Sequence, residues 1–390
     1  MRMLLHHPMF ALLGLLLALA GCGGGSSGGN GRDGTLRLAL TDAPACGYDH
    51  VYITITKIRV HQSATAADGD SGWSEIALAN GRRIDLLSLS NGVLEELGQT
   101  LLPAGKYTQM RLVLAANGGL GVQPNAVTPT GGVELPLTTP SAQQSGIKLT
   151  VNIDVTADQM ADQLLDFDAC RSVVRNGNSG NFTLTPVIAV IPRLADAGLR
   201  VVGYVDGSAA VAGASISVQQ AGVPVKATTA ASDGRFTLYP VPAGTYSLVV
   251  TSAGRATMVM TGVPVVSTTI TNVGTATLPI TPPLAVTVPR VVTGSVLPAT
   301  ATVRALQTLS SGIVFEAAWA PVDALTGGFS LSLTQAAPLS LAYVANPVSL
   351  PFVADSPVAA HYTVEAKSGG VVQTRAIDVS APVSPLSFSF

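Results

Sequence analysis

Two groups of side chains have the types that acid–base or metal chemistry needs. Asp162, Asp166 and Asp168 lie close together in the sequence, and Asp68 with Asp70 form a second acidic pair. Hard cations such as calcium take several carboxylate and carbonyl oxygens, and neighbouring carboxylates can divide the roles of acid and base. Asp166 and Asp168 are therefore the weak candidates for a metal site. In a hydrolase or peptidase accessory they are also the candidate acid and base. Neither group has a complete ligand-loop pattern, and acidic turns are ordinarily just solvated, so no metal, cofactor or catalytic residue is expected. His50 and His61 are eleven residues apart, about 35 Å along one extended strand, which is too far to share a metal ion.

The remaining chemistry is that of sulfur and aromatic rings. Of three cysteines, Cys22 follows the apolar run Met9–Ala20 directly after Gly21, leaving Cys46 and Cys170. In an oxidising compartment these two are the expected disulfide, closing a long loop for a chain-entropy gain of roughly 4–5 kcal/mol. They lack the close spacing of a redox pair. Gly69-Asp70-Ser71-Gly72 superficially resembles the nucleophile segment of trypsin-like proteases, but Trp73 stands where a glycine follows in that family. The segment reads as a turn. No His-Glu-x-x-His, Gly-x-Ser-x-Gly or phosphate-loop pattern is present. Trp73, Trp319, Tyr204 and Tyr239 are of the type that stacks on sugars, although in a chain with 5% aromatic residues most are expected in the core.

The elements that position these groups read as strands. Only 11% of the 390 residues are charged, against about 25% in an average globular protein, so the surface must be built from Ser, Thr, Gly, Ala and Gln. The 40 glycines and 25 prolines stay below the level of about 25–30% that marks disorder. A net charge of −2 without a basic block excludes the electrostatic footprint of nucleic-acid binding. Alternation begins at Leu36-Leu38-Leu40 and breaks at Thr41-Asp42-Ala43-Pro44. From Val51 to Val60 the period-2 phase slips once near Thr56-Lys57, as a β-bulge makes it slip, and this puts both His50 and His61 on the solvent face.

Asn80-Gly81 is a hairpin signal. Short helices are expected around 92–97 and 157–165, strands over 111–114, 148–155 and 181–191, and a loop over 124–145. Two patterns recur. Pro-Ala-Gly-x-Tyr occurs at Pro103–Tyr107 and Pro242–Tyr246, where Pro and Gly turn the chain and Tyr opens a strand. Gly-x-Phe-[Ser/Thr]-Leu occurs at Gly180, Gly234 and Gly327. Similar sandwich modules produce such recurrences, and so do common turns in any β-rich chain.

The N-terminal segment, with Arg2, the apolar run and Leu19-Ala20-Gly21-Cys22, resembles a bacterial lipoprotein signal. The resemblance implies that residues 1–21 are removed and that Cys22 is acylated (diacylglyceryl and palmitate-type chains). Two or three chains, each contributing about 0.8 kcal/mol per buried methylene, hold a protein on a bilayer. Residues 22–33 then form a Gly/Ser tether. Gly23, not Asp, after the anchor resembles the default for outer-membrane export.

Leu38–Pro44 through Leu112-Val113-Leu114, with Leu165–Ala169 and Thr185–Ile188, resembles an uncharacterised domain (domain of unknown function, 4382 type) of bacterial envelope lipoproteins, here 34–196. Residues 197–280 resemble the carboxypeptidase regulatory-like, prealbumin-like sandwiches, on Gly203, Gly213-Ala214, Asp233–Phe236 and Pro242–Tyr246. Residues 281–390 match no family and read as a further β domain, with a divergent third sandwich as one reading. The expected fold is mainly β: tandem β-sandwich modules, immunoglobulin- or prealbumin-like, with one or two short helices in the first domain. The expected function is that of a non-catalytic binding or structural module, lipid-anchored in the bacterial cell envelope, with membrane lipid and an envelope protein or glycan as partners. A hydrolase or peptidase accessory is the first alternative. An outer-membrane assembly component is the second, suggested by the terminal Phe390, although the strands are too few and irregular for a barrel.

Overall fold

Alternation of apolar and polar side chains persists along the chain, and the computed structural model is accordingly almost all strand. It describes residues 32–42, 47–119, 121–140, 145–193, 198–207 and 213–390. The signal-like segment with Cys22, and Cys46, lie outside the described residues.

The first module contains β1 (Asp33–Asp42), β2 (Tyr48–His61), β3 (Ser74–Asp85), β4 (Glu95–Pro103), β5 (Gly105–Leu114), β6 (Ala126–Pro129), β7 (Leu135–Thr138), β8 (Ile147–Val155) and β9 (Met160–Phe167). After the four-residue helix α1 (Ala169–Ser172) come β10 (Val173–Arg175), β11 (Phe182–Leu184) and β12 (Ile188–Pro192). One sheet has the order β12-β9-β1-β4, the other β10-β11-β7-β6-β2-β5-β8 with β3 also on β2. Their apolar faces share one core around Leu38, Ile53, Leu112 and Phe167.

The bulge in β2 is where the phase slip placed it. Its register shifts between Ile55 and Lys57 against both β3 and β5. His50 is exposed and His61 half-buried. Asn80-Gly81 makes no hairpin: β3 runs through it, and its ladder opposite Thr56 is interrupted, with Gly81 at φ 69°. The helix expected over 92–97 is instead the start of β4, and the 3-10 turn lies earlier, at Leu86–Leu89. Residues 157–165 are likewise no helix but lead into β9, which pairs parallel with β1 and antiparallel with β12. The supposed loop 124–145 holds β6 and β7, and the strand 181–191 is split by Thr185-Pro186-Val187.

The second module contains β13 (Val201–Tyr204), β14 (Ser215–Gln220), β15 (Val223–Thr229), β16 (Arg235–Leu238), β17 (Gly244–Thr251), β18 (Met258–Val265) and β19 (Thr271–Asn272). The third contains β20 (Arg290–Leu297), β21 (Thr302–Thr308), β22 (Val314–Ala320), β23 (Gly328–Leu333), β24 (Leu339–Ala342), β25 (Val353–Ala354), β26 (His361–Ser368), β27 (Val371–Asp378) and β28 (Leu386–Ser389). With β24 and β25 set aside the two have one topology: β16-β13-β19 over β15-β14-β17-β18, and β23-β20-β28 over β22-β21-β26-β27.

The equivalence extends to single residues. Gly203 lies opposite Phe236 and Gly294 opposite Phe329, and a Cβ on either glycine would meet the ring at 2.6 or 2.4 Å. Gly234 and Gly327 have φ of 83° and 69°, and each accepts a backbone bond from Val205 or Val296. The Gly180 copy of the motif turns into β11 without this arrangement. Tyr107 and Tyr246, from the other repeated pattern, each donate a hydrogen bond to the carbonyl of Pro103 (3.1 Å) or Pro242 (2.8 Å).

β24 and β25 form an arm that leaves the third module. β24 pairs in parallel with β18, Met258 opposite Leu339, and Leu339, Leu341, Tyr343, Leu350 and Phe352 pack on the second module's core. An exposed strand edge presents unpaired amides and carbonyls, and covering it with another segment is a common protection. A separate apolar cluster of Val249, Val259, Leu309 and Phe315 lies between the same two modules.

Candidate functional site

The three modules meet at a cleft of about 380 Å³, lined among others by Asp168, Arg171, Gln219, Glu316 and Trp319. The turn after β9 delivers the first module's share. Asp168 caps α1 by accepting the Arg171 amide at 2.9 Å, and the Arg171 side chain then extends into the junction. There it bonds Glu316 on β22 and lies 5.6 Å from the centre of the Trp319 ring. Glu316, with only 5% of its side chain exposed, is also approached by Arg304 at 3.5 Å, and Arg304 bonds Glu365 at 2.7 Å. The second module grips the same residue through its backbone: Gln219 accepts from the Glu316 amide at 2.7 Å and donates to its carbonyl at 3.0 Å.

Burial drives both carboxyls upward in pKa. At Glu316 the rise is partly offset by the Arg171 and Arg304 guanidinium groups, and at Asp168 by Arg171 and its amide. Asp166 faces Lys226 of the second module at 2.5 Å, with 13% and 3% of the side chains exposed. Asn91, in the turn just before the expected helix 92–97, accepts the Thr237 amide at 3.3 Å, and its own backbone amide donates to Thr228 at 2.9 Å. Asp323 accepts the Gly177 amide at 2.5 Å and ties the third module to the first.

The acidic residues singled out in the sequence are thus dispersed among cations. Asp162 bonds Arg37, Asp166 bonds Lys226, and Asp168 lies 3.3 Å from Arg171. Among the described residues no three His, Cys, Asp or Glu side chains are grouped to hold a metal. Asp68 bonds Arg59 and approaches Arg111 at 3.3 Å, while Asp70 accepts the Ala67 amide. Arg59 and Arg111 both lie against the Trp73 ring, at 4.6 and 4.8 Å, and Trp73 donates to the Ala67 carbonyl, so this segment is a pinned turn. His61 packs on Trp73 and His50 bonds Asp85 at 2.7 Å. Cys170 is buried on α1. Tyr204 and Tyr239 are half-buried, Tyr239 beneath Arg200. Phe390 is 39% exposed, and its amide bonds the Leu297 carbonyl.

Lys226, Gln219, Arg304 and Glu316 carry the junction and were not singled out in the sequence. Their one signal is a charged or amide side chain inside otherwise apolar or small-residue strands, and their partners lie in other modules at large separation.

Residues 33–186 match the family model of a domain of unknown function, DUF4382. No curated protein matches the chain. Among solved structures, a type II cohesin–X-dockerin complex of Acetivibrio cellulolyticus is 27% identical with a TM-score of 0.18, over 22% of this chain and 57% of that one. A second interface mutant of that complex is 26% identical with a TM-score of 0.19, over 23% and 59%. The chain therefore spans less than two thirds of these structures. A streptococcal ancillary pilin is 10% identical over 92% of this chain and 99% of that one, with a TM-score of 0.14.

Proposed function

We propose that this protein is a non-catalytic structural module of a bacterial cell envelope, held to the outer membrane by acyl chains on Cys22 and set off from it by the Gly/Ser tether. The observation that carries the non-catalytic part is the use made of the charged groups. Lys226 with Asp166, and Arg171 with Glu316, are paired across module boundaries, so these acidic and basic side chains are engaged in joining modules. Residues 197–280 then serve as a spacer sandwich of the regulatory-like kind, and Cys46 with Cys170 form the disulfide of the first module. An envelope protein or glycan is the expected partner class.

Intact mass and membrane partitioning of the native protein beside Cys22→Ser test the anchor, with non-reducing peptide mapping of Cys46 and Cys170 on the same sample. A lipid mass lost in the variant and joined thiols are the expected results. An unlipidated native protein overturns the anchor. Turnover in a broad hydrolase screen that Asp166→Asn abolishes overturns the non-catalytic reading.

A further inference from the structure

The second and third modules share one topology, yet the same edge is covered in one and open in the other. In the second module the edge strand β18 is paired with β24. Its counterpart in the third module, β27, ends its sheet with no strand beyond it among the described residues.

The orientation of that edge follows from the hairpin before it. Ser368 and Val371 face each other across Gly369-Gly370, whose φ angles of 53° and 87° are those of a two-residue I′ turn. The pair flanking such a turn exchanges both of its hydrogen bonds, and bonded and non-bonded pairs then alternate. Val371, Gln373 and Arg375 therefore direct their amides and carbonyls to β26, while Val372, Thr374 and Ala376 direct theirs outward. The Thr374 carbonyl is met from that side by the Arg375 guanidinium at 2.9 Å. Val371 and Val372 are 58% and 47% exposed, an apolar start to an open edge.

We propose that β27 is a docking edge for an extended segment of a partner protein, uncharged and with aliphatic side chains at alternate positions. The chemistry is that of the segment on β18, Leu339-Ser340-Leu341-Ala342. Main-chain bonds supply the affinity and the alternating side chains the register. A second copy of this chain is disfavoured as the occupant in the two registers that pair nearly the whole length of β27. A two-fold β27 pair centred on Arg375 sets the two guanidinium groups opposite each other, and one centred on Thr374 places them at adjacent positions on one face. Like charges so placed oppose pairing. This proposal stands on the module topology and is independent of the membrane anchor.

The test is amide hydrogen exchange on the full chain, with and without a synthetic peptide copying Ala337–Val344. The expected result is about tenfold slower exchange at Val372, Thr374 and Ala376 with peptide present. Thr374→Pro removes an outward amide, which an edge strand tolerates, and abolishes the protection while β26 stays protected. A peptide with aspartate in place of both leucines does not protect. Absence of protection on β27 overturns the proposal, as does loss of protection on β24 with none gained on β27, which reports displacement of the arm. A concentration-dependent dimer without peptide, lost in Thr374→Pro, also overturns it in favour of self-pairing.

Discussion

Glu316 is the residue on which all three modules converge, with Arg171, Gln219 and Arg304 around it. Removing one partner of a buried ion pair leaves the other uncompensated, at a cost of roughly 3–5 kcal/mol when both are fully buried. Because Arg171 and Arg304 retain 32% and 21% of their side-chain exposure, Arg171→Met, which leaves the Glu316 carboxylate with Arg304 alone, is expected to cost less, about 2 kcal/mol, read by denaturant melts. The pH dependence of the junction has a definite direction. Burial raises the folded-state pKa of Glu316 and Asp168, so between the ordinary carboxylate value and the raised one the native state holds more protons than the unfolded chain. Stability therefore falls as pH rises through that window and recovers as pH is lowered. The native protein should gain thermal stability from neutral pH towards about pH 5, and Glu316→Gln should gain less. Asp323 and Asp378 act oppositely in a lower window. Burial works against ionisation at Asp323, but the Thr326, Leu325 and Gly177 bonds outweigh it, while the Ser380 bonds lower Asp378. Their contribution is lost only as pH falls through their depressed values.

Gly234 and Gly327 show what the repeated Gly-x-Phe pattern does in its two sandwich settings. Each has positive φ, and a Cβ would lie 2.1 Å from the Val205 carbonyl or 2.2 Å from that of Val296. Strain of this kind costs of order 1–3 kcal/mol, and here a backbone clash adds to it. Gly234→Ala and Gly327→Ala should each lower the melting temperature markedly, whereas Gly180→Ala, with nothing within 4 Å of the added carbon, should carry the φ penalty alone. The motif was legible in the sequence, but which copies share a structural role was not, because that depends on the strand lying behind the glycine. The bulge in β2 was legible because a phase slip in a period-2 pattern has a single geometric meaning. The helix expected over 157–165 was not to be, because Gln163 at an inward position and Leu164 at an outward one obscure the alternation of β9, whose core-facing residues are Leu165 and Phe167. Asp162 and Asp166 on the other face are balanced by Arg37 and Lys226, far away in sequence. At β24, alternate Leu339, Leu341 and Tyr343 announce a strand without saying whose sheet it joins.

At the scale of the molecule, the arm and the Val249-Val259-Leu309-Phe315 cluster make the second and third modules one thermodynamic unit. Phe315 is fully buried, and Phe315→Ala should cost about 3–5 kcal/mol. Calorimetry of the native protein should show these two modules melting in one transition, and the variant should resolve it into two. Two separable transitions in the native protein would show that the contacts do not couple the modules. The arm also imposes an order of events on the nascent chain. A polypeptide emerges from its N-terminal end, and domains generally fold as they appear. The second sandwich cannot close its β18 edge on its own residues; it must wait until Ala342 has emerged, with the first strands of the third already made. Until then it carries a bare edge of the kind that invites wrong pairing, so its maturation is timed by a segment of its neighbour.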